Sequence, residues 1–291
     1  MPVLEIIQPG LLTTVQDLGR KGSRFFAIPT SGAIDSISAA RALLLLQHPP
    51  QAPLIECTYL PPAIRFHSPA RIALTGADFR WTVNGSPMAL NQVLEVKAGD
   101  ELRGKGAASG FRGYIAVGGK WLGEAVYGSH ATYLNGRFGG HEGRALRKGD
   151  RLEWGEMEGE FGGEFEGEFG FGGGIGVGES ILPLRKGPEF DWLDSAAKDL
   201  LFNSTFTIST DSNRMGARLQ GPTLQARAHQ LPNSVPVLPG FIQLPPSGQP
   251  IVLLQDGQVT GGYPRIAYIP PAHLPTFNQI SLGKSLRFRP A

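Results

Sequence analysis

Glycine and proline interrupt this sequence too often for long regular elements to form. The 291 residues include 40 glycines and 24 prolines, spread along the chain. Glycine favours turns because it adopts positive φ without strain, and proline favours them because its ring fixes φ and removes a hydrogen-bond donor. We therefore expect a mainly β fold, with many short strands joined by turns and a few short helices.

Recurring sequence segments, each a turn followed by a short strand, support this expectation. Residues 71–103 predict a β-meander in which Asn84 and Gly85 form a tight turn. A glycine-containing turn before a short alternating strand occurs at 97–103, 147–154 and 281–288. Because the spacing between these segments is irregular, the pattern favours hairpins of the barrel type over a solenoid.

Two segments predict helices. The first covers 36–47 and has Asp35 at the N-cap position, where a carboxylate can accept a hydrogen bond from a free backbone N–H. The second begins at Pro188 and continues to about 202, because proline is favoured in the first turn of a helix.

The segment 155–179 divides the chain into two halves. It contains seven glutamates, many glycines and no basic residue, a composition typical of a flexible linker. We expect an N-terminal half at 1–154, this Gly/Glu-rich linker or insertion at 155–179, and a C-terminal half at 180–291. Strands can exchange between the two halves.

Charge and cysteine content exclude several classes of protein. The formal net charge is +2, so neither nucleic acid nor a membrane is an expected partner. No apolar run approaches the ~18–20 residues that span a bilayer, and residues 1–10 do not resemble a secretory signal. The one cysteine, Cys57, excludes an internal disulfide and a cysteine-rich zinc site, and the six scattered histidines give no metal-binding pattern. We expect a cytoplasmic protein without a metal site.

Three polar, glycine-punctuated stretches stand out from their apolar surroundings. They are 9–20 with its continuation 29–35, then 209–222, and then 246–269. In the third, a predicted buried strand at 251–254 ends in a loop that carries carboxylate, amide, hydroxyl and phenol groups. Such a loop suits a small polar ligand, although a barrel-corner turn whose side chains satisfy backbone groups would look the same.

Two pairs of charged or polar residues in these stretches have alternative interpretations. Asn213 and Arg214 offer a guanidinium fork that could bind a carboxylate or phosphate at two points, or Arg214 could pair with a structural aspartate. Asp17 and Arg20 lie three residues apart. They could form a local ion pair or line the same cleft.

Six segments together resemble one bacterial family. They are PGLLTTVQDLGR, PTSGAID, LTGADF, GYIAVGG, TDSNRMGARLQGP and DGQVTGGYP. In sequence and order they are similar to the biotin-dependent carboxyltransferase-like family, which includes allophanate hydrolase subunit 2 and the C subunit of 5-oxoprolinase. The resemblance covers essentially the whole chain except 155–179, and it implies two cyclophilin-like β-barrel subdomains. Val259 departs from the family pattern, which has threonine at this position.

The resemblance implies a component of an ATP-dependent 5-oxoprolinase, inactive alone, that hydrolyses 5-oxoproline to glutamate. Its expected partners are a subunit-1-like protein, which is the B-type component of 5-oxoprolinase, and a third protein, the A-type component, with ATP shared among them. One alternative is the carboxyltransferase component of a urea carboxylase or allophanate-type system, for which biotin is the cofactor. Another is a regulatory protein that antagonises a sensor-kinase inhibitor.

If the protein is an oxoprolinase component, the chemistry of the residues in the polar stretches suggests a role for each. Asp256 is expected to orient or deprotonate a nucleophile, and Arg214 to hold a carboxylate or phosphate. The substrate is expected to be a small polar lactam or urea-like molecule. Its predicted binding residues are Gln258, Thr260, Tyr263, Asn213, Gln16, Asp17, Arg20, Ser31 and Asp35.

Overall fold

The computed structural model describes residues 3–155 and 180–291, which form two compact units. Unit 1 consists of 3–21 and 31–155, and unit 2 consists of 22–30 and 180–291. The short segment 22–30 therefore belongs with the C-terminal residues rather than with its neighbours in sequence. The predicted linker lies, apart from Gly155, outside the described residues.

Unit 1 is built from antiparallel strands and one α-helix. The helix α1 is Ser36–Leu45. The strands are β1 Val3–Gln8, β2 Leu12–Gln16, β3 Leu54–Thr58, β4 Ala63–Phe66, β5 Ala70–Asp78, β6 Thr82–Val83, β7 Ser86–Pro87, β8 Val93–Val96, β9 Glu101–Arg103, β10 Ser109–Val117, β11 Lys120–Trp121 and β12 Arg151–Gly155.

These strands form two sheets, and the predicted meander at 71–103 is divided between them. One sheet has the order β11-β12-β1-β4-β9-β6-β7, and the other has the order β2-β3-β10-β5-β8. The prediction of a simple meander is wrong because Phe79 and Trp81, which follow β5, are buried in the apolar core, so the chain passes there into the other sheet. The tight turn is confirmed, since Asn84 (φ 50°) and Gly85 (φ 86°) join β6 to β7.

The predicted first helix is confirmed as α1, which ends two residues earlier than expected. Asp35 caps it, because Oδ1 accepts a hydrogen bond of 3.0 Å from the Ser38 amide. The buried face of α1 presents Ala39, Ala42 and Leu43 to the five-stranded sheet.

Unit 2 contains a closed barrel of seven strands in the order β13-β20-β17-β18-β15-β14-β21. β13 and β21 are parallel, and the other barrel neighbours are antiparallel. The strands are β13 Ser180–Lys186, β14 Thr205–Ile208, β15 Gly216–Gln220, β16 Val235–Pro236, β17 Phe241–Gln243, β18 Ile251–Leu253, β19 Thr260–Gly261, β20 Arg265–Tyr268 and β21 Ser285–Pro290. β16 and β19 pair separately as a two-stranded sheet.

The helices of unit 2 are short. They are α2 Ser195–Asn203 and α3 Leu274–Asn278, with 3-10 helices at Ser23–Phe26, Phe190–Trp192 and Pro271–His273. None of the described helices has both the length and the apolar character needed to cross a membrane. The expected mainly β fold, with barrel architecture and few short helices, is confirmed.

The predicted helix from Pro188 to about 202 is wrong in its first half. Leu193 is extended (ψ 137°) and forms a β-bridge with Ala226, so the helix cannot run through this position. A new helix, α2, begins after Asp194, whose Oδ1 accepts a hydrogen bond of 2.7 Å from the Ala197 amide.

The cap at Asp194 can be tested directly. We expect Asp194→Ala to lower the free energy of unfolding by about 1 kcal/mol, because the Ala197 amide loses its acceptor. The matched control is Asp199→Ala, an exposed aspartate within the same helix, which should change stability by less than about 0.5 kcal/mol. Equal losses in urea unfolding of the two variants would contradict a specific capping role.

Candidate active site

A buried ion pair holds the loop of unit 2 that is predicted to bind a small polar ligand. The loop follows the buried strand β18, as expected, and Asp256 lies near its start with only 3% of its surface exposed. Arg214 donates to Asp256 through Nε (2.8 Å to Oδ2) and Nη2 (3.2 Å to Oδ1). The two backbones also pair, because the Asp256 amide donates to the Arg214 carbonyl at 3.0 Å.

This geometry matches the interpretation in which Arg214 pairs with an aspartate. Its guanidinium fork pairs with an aspartate of the same chain, and both carboxylate oxygens of Asp256 are engaged. Two charges buried to this extent are tolerated only when each compensates the other. The pair therefore fixes the orientation of the loop, while the predicted chemical roles of Arg214 and Asp256 stay predictions.

The other predicted residues of unit 2 lie at more accessible positions. Gln258, Thr260 and Tyr263 are exposed. The Gln258 amide nitrogen donates to the buried Gln243 (3.0 Å), whose own amide nitrogen donates to the Tyr263 carbonyl (3.3 Å). Exposed Asn213 accepts a hydrogen bond of 2.8 Å from the Met215 amide, so it shapes the turn that carries Arg214.

Gln243 and Arg24 are contacts of this loop that the sequence did not predict. Arg24 Nη2 donates to the carbonyls of Val237 and Val259, the latter at 3.2 Å. Because Val259 stands between Gln258 and Thr260, segment 22–30 supports the loop directly. No local pattern in the sequence indicates a contact over this distance along the chain.

The predicted residues of unit 1 are buried rather than exposed. Asp17 is engaged at both oxygens: Oδ1 accepts from the Gly19 amide (2.7 Å) and the Ser129 hydroxyl (2.9 Å), and Oδ2 accepts from the His130 amide (2.6 Å). Arg20 donates to the carbonyls of Val126 and Ala131. Both side chains thus hold residues 126–131, and this contact organises the fold around them.

Gln16, Ser31 and Asp35 complete the predicted set in unit 1. Gln16 donates to Thr14 Oγ1 (2.9 Å) and the Thr132 carbonyl (3.3 Å), while its Oε1 meets no partner among the described residues. The buried Ser31 hydroxyl also lacks a partner within the described part of the chain, and its φ of 52° is unusual for serine. Asp35 is the helix cap described above.

A buried charge network behind these residues was not predicted. Glu56 Oε2 accepts hydrogen bonds from the Ile34 amide (2.8 Å) and the Tyr114 hydroxyl (2.9 Å), and Arg112 lies 3.8 Å from Oε1. Burial raises the pKa of Tyr114 well above its usual value, and the neighbouring Glu56 and Asp35 charges raise it further. The phenol therefore keeps its proton and donates a hydrogen bond to Glu56. The sequence signal was a glutamate and an arginine inside otherwise apolar strands.

Neither metal chemistry nor a reactive thiol is indicated by the described residues. Across 3–155 and 180–291, no group of three or more His, Cys, Asp or Glu side chains is arranged to hold a metal ion. Cys57 is fully buried, and burial raises the pKa of its thiol well above its usual value. A cavity of about 500 Å³ in unit 1 is lined by residues 46, 69–71, 95–97 and 118–119, none of which belongs to the predicted site.

Comparison with known proteins identifies related chains along nearly the whole sequence. A family described as "Carboxyltransferase domain, subdomain A and B" matches residues 26–290. The chain is 38% identical to the C subunit of 5-oxoprolinase from Escherichia coli K12 over 286 residues, which cover 98% of this chain and 90% of that protein. It is 30% identical to the C subunit of 5-oxoprolinase from Haemophilus influenzae, with the same coverage of both chains.

A solved structure extends the comparison to a second kind of enzyme. The crystal structure of the Kluyveromyces lactis urea amidolyase matches with a TM-score of 0.87 and 26% identity, over 99% of this chain and 18% of that one. This chain therefore spans less than a fifth of the urea amidolyase. The two bacterial 5-oxoprolinase components match it at higher identity and over far more of their own length.

The contribution of the buried ion pair to the free energy of unfolding can be tested by substitution. Arg214→Leu and Asp256→Leu should each lower the free energy of unfolding by about 3–5 kcal/mol, because each leaves an uncompensated buried charge. The double variant should lose much less than the sum of the two single losses. In the exposed Arg103–Glu101 pair, Arg103→Leu should cost less than about 1 kcal/mol. Additive losses in urea unfolding would show that Arg214 and Asp256 do not depend on each other.

Proposed function

The chain belongs to the family of carboxyltransferase domains with subdomains A and B, and we propose that it is a component of an ATP-dependent 5-oxoprolinase. In this proposal the complex hydrolyses 5-oxoproline to glutamate. One observation carries it: the 38% identity to the Escherichia coli 5-oxoprolinase component extends over 98% of this chain and 90% of that protein. The exposed amide, hydroxyl and phenol groups of the unit 2 loop suit a small polar substrate.

The proposed partners are the B-type and A-type components of 5-oxoprolinase, without which the chain is inactive. Both bacterial relatives are named as the C subunit of their enzyme, which supports a complex of several different chains. We also place the complex in the cytoplasm, because a single unpaired cysteine suits a reducing compartment.

ATP is proposed to bind chiefly to the partner proteins. This chain has no complete phosphate-binding loop: Gly106 stands where serine or threonine should follow the segment 99–105. Arg214, which was expected to hold a carboxylate or phosphate, is engaged by Asp256. ATP would supply a phosphoryl group to the lactam oxygen of the substrate, with ADP as the leaving group, and this would turn a poor electrophile into a reactive one.

In the proposed mechanism this chain orients the substrate and handles a proton. Gln258, Thr260 and Tyr263 bind the polar groups of the substrate. Asp256, held in place by Arg214, orients or deprotonates the attacking nucleophile. A direct contact between Arg214 and a substrate anion would require this ion pair to separate, so we assign Arg214 the positioning of Asp256.

A carboxyltransferase role is the second candidate function. The description of the matching family and the TM-score of 0.87 to the urea amidolyase favour it. Because the chain contains no Met-Lys-Met sequence typical of a biotin carrier, biotin would arrive on another chain. The substrate in that case would be urea-like, and a biotinylated partner would be required.

The role of Asp256 can be tested in the reconstituted complex. We expect Asp256→Asn to lower kcat for ATP-dependent glutamate release by about 10²–10⁴-fold, because the amide cannot accept the proton. The control is Asp211→Asn, which alters an exposed aspartate of the neighbouring polar stretch and should leave kcat unchanged. Full activity of Asp256→Asn, with the complex intact by gel filtration, would remove Asp256 from the mechanism. A well-formed wild-type complex that releases no glutamate would contradict the proposed function itself.

A further inference from the structure

The substrate of the proposed function is an anion, yet its expected cationic partner is occupied. 5-Oxoproline carries a carboxylate beside its lactam ring, whereas urea and simple lactams carry no charge. Arg214 cannot neutralise that carboxylate while Asp256 engages two of its guanidinium nitrogens. If this chain binds the carboxylate, a different cation near the polar loop is needed.

Arg24 lies against this loop and has no acidic partner within the described residues. Its hydrogen bonds to them both leave from Nη2, and both end on backbone carbonyls, those of Val237 and Val259. In the described part of the chain no carboxylate lies within 4.0 Å of its guanidinium, in contrast to the pairs made by Arg214 and Arg265. Neutral carbonyls orient the group but leave its positive charge uncompensated.

The position of Arg24 matches the accessible part of the loop. The carbonyl of Val259 belongs to the residue between Gln258 and Thr260, both of which are exposed. Partial burial lowers the pKa of Arg24 from its usual value, but an arginine stays charged at neutral pH. A half-buried cation interacts more strongly with an anion than a fully solvated one, because water screens it less.

The remaining donors of Arg24 suit a carboxylate. Nε and Nη1 make no hydrogen bond to any described residue, and neither atom is enclosed without a partner. An arginine side chain presents its nitrogens as a planar fork, and two of them can bind both oxygens of one carboxylate. Both such pairs include Nη2, which is committed to the loop carbonyls here, so Nη1 and Nε each remain for a single charge-assisted hydrogen bond to a carboxylate oxygen.

We infer that Arg24 binds the carboxylate of the substrate and so makes the site specific for an anionic lactam over a neutral one. This inference rests on the proposed function, because it assigns the charged group of that substrate. Arg24 takes over the anion-binding role that the sequence assigned to Arg214. It also links the segment 22–30, which unit 2 incorporates from the N-terminal part of the chain, to substrate choice.

The test compares an anionic and a neutral lactam in the reconstituted complex. For Arg24→Met we expect KM for 5-oxoproline to rise about 10- to 100-fold, the effect of losing charge-assisted hydrogen bonds, with little change in kcat. For 2-pyrrolidinone, the same ring without a carboxylate, Arg24→Met should lower kcat/KM far less than it does for 5-oxoproline, because only the hydrogen bonds to the loop carbonyls are lost. Arg24→Lys, which keeps the charge but not the planar guanidinium that Nη2 anchors to the loop, should give an intermediate KM.

Controls separate binding from a loss of structure. Arg218→Met replaces an exposed arginine of β15 and should leave kcat and KM for both substrates unchanged. If Arg24 only supported the loop, Arg24→Met would lower kcat/KM for both lactams alike, and Arg24→Lys would not restore the KM for 5-oxoproline. That result would overturn the inference. An unchanged KM for 5-oxoproline in Arg24→Met overturns it as well, while the proposed function stands. A wild-type complex that neither binds nor hydrolyses 5-oxoproline overturns the proposed function and this inference together.

Discussion

The buried pair of Arg214 and Asp256 determines how the functional loop of unit 2 is organised. Each side chain is only 3% exposed, and transfer of an isolated charge to such an environment is strongly unfavourable. The bidentate geometry and the backbone hydrogen bond between the same two residues compensate this cost together. The charge pair therefore fixes the start of the loop, and the hydrogen bonds of Gln243 and Arg24 support the residues that follow.

The same pairing also separates two kinds of arginine near the loop. A guanidinium committed to a buried carboxylate positions that carboxylate, whereas one bound only to carbonyls keeps its charge for a ligand. Among the described residues, Arg214 is of the first kind and Arg24 of the second. In unit 1, Asp17 is likewise committed, since both its oxygens accept hydrogen bonds from the protein.

Local features of the structure could be predicted from the sequence, because short-range interactions determine them. The turn at Asn84 and the cap at Asp35 involve residues no more than three positions apart. The predictions of a meander at 71–103 and of the start of the second helix were wrong because distant contacts overrode local preference. Burial of Phe79 and Trp81 redirects the first, and the bridge between Leu193 and Ala226 interrupts the second.

The candidate site shows the same division between local and distant information. A polar loop after a buried strand could be placed correctly at 255–264, since hydrophobic patterning marks the end of β18. The partner of Arg214 is 42 residues away, and the carbonyls that bind Arg24 are 213 and 235 residues away. No spacing rule joins residues so far apart. Only the closed barrel, with 22–30 incorporated in unit 2, brings them together.

The most direct measurement compares the two reactions that the family relationship allows. The complex of this chain with its proposed A-type and B-type partners is supplied with ATP and either 5-oxoproline or urea and bicarbonate. We expect glutamate to form from 5-oxoproline only when ATP and all three proteins are present, with no bicarbonate incorporated into urea. Bicarbonate incorporation that depends on a biotinylated protein, without glutamate release, would contradict the account and establish carboxyl transfer.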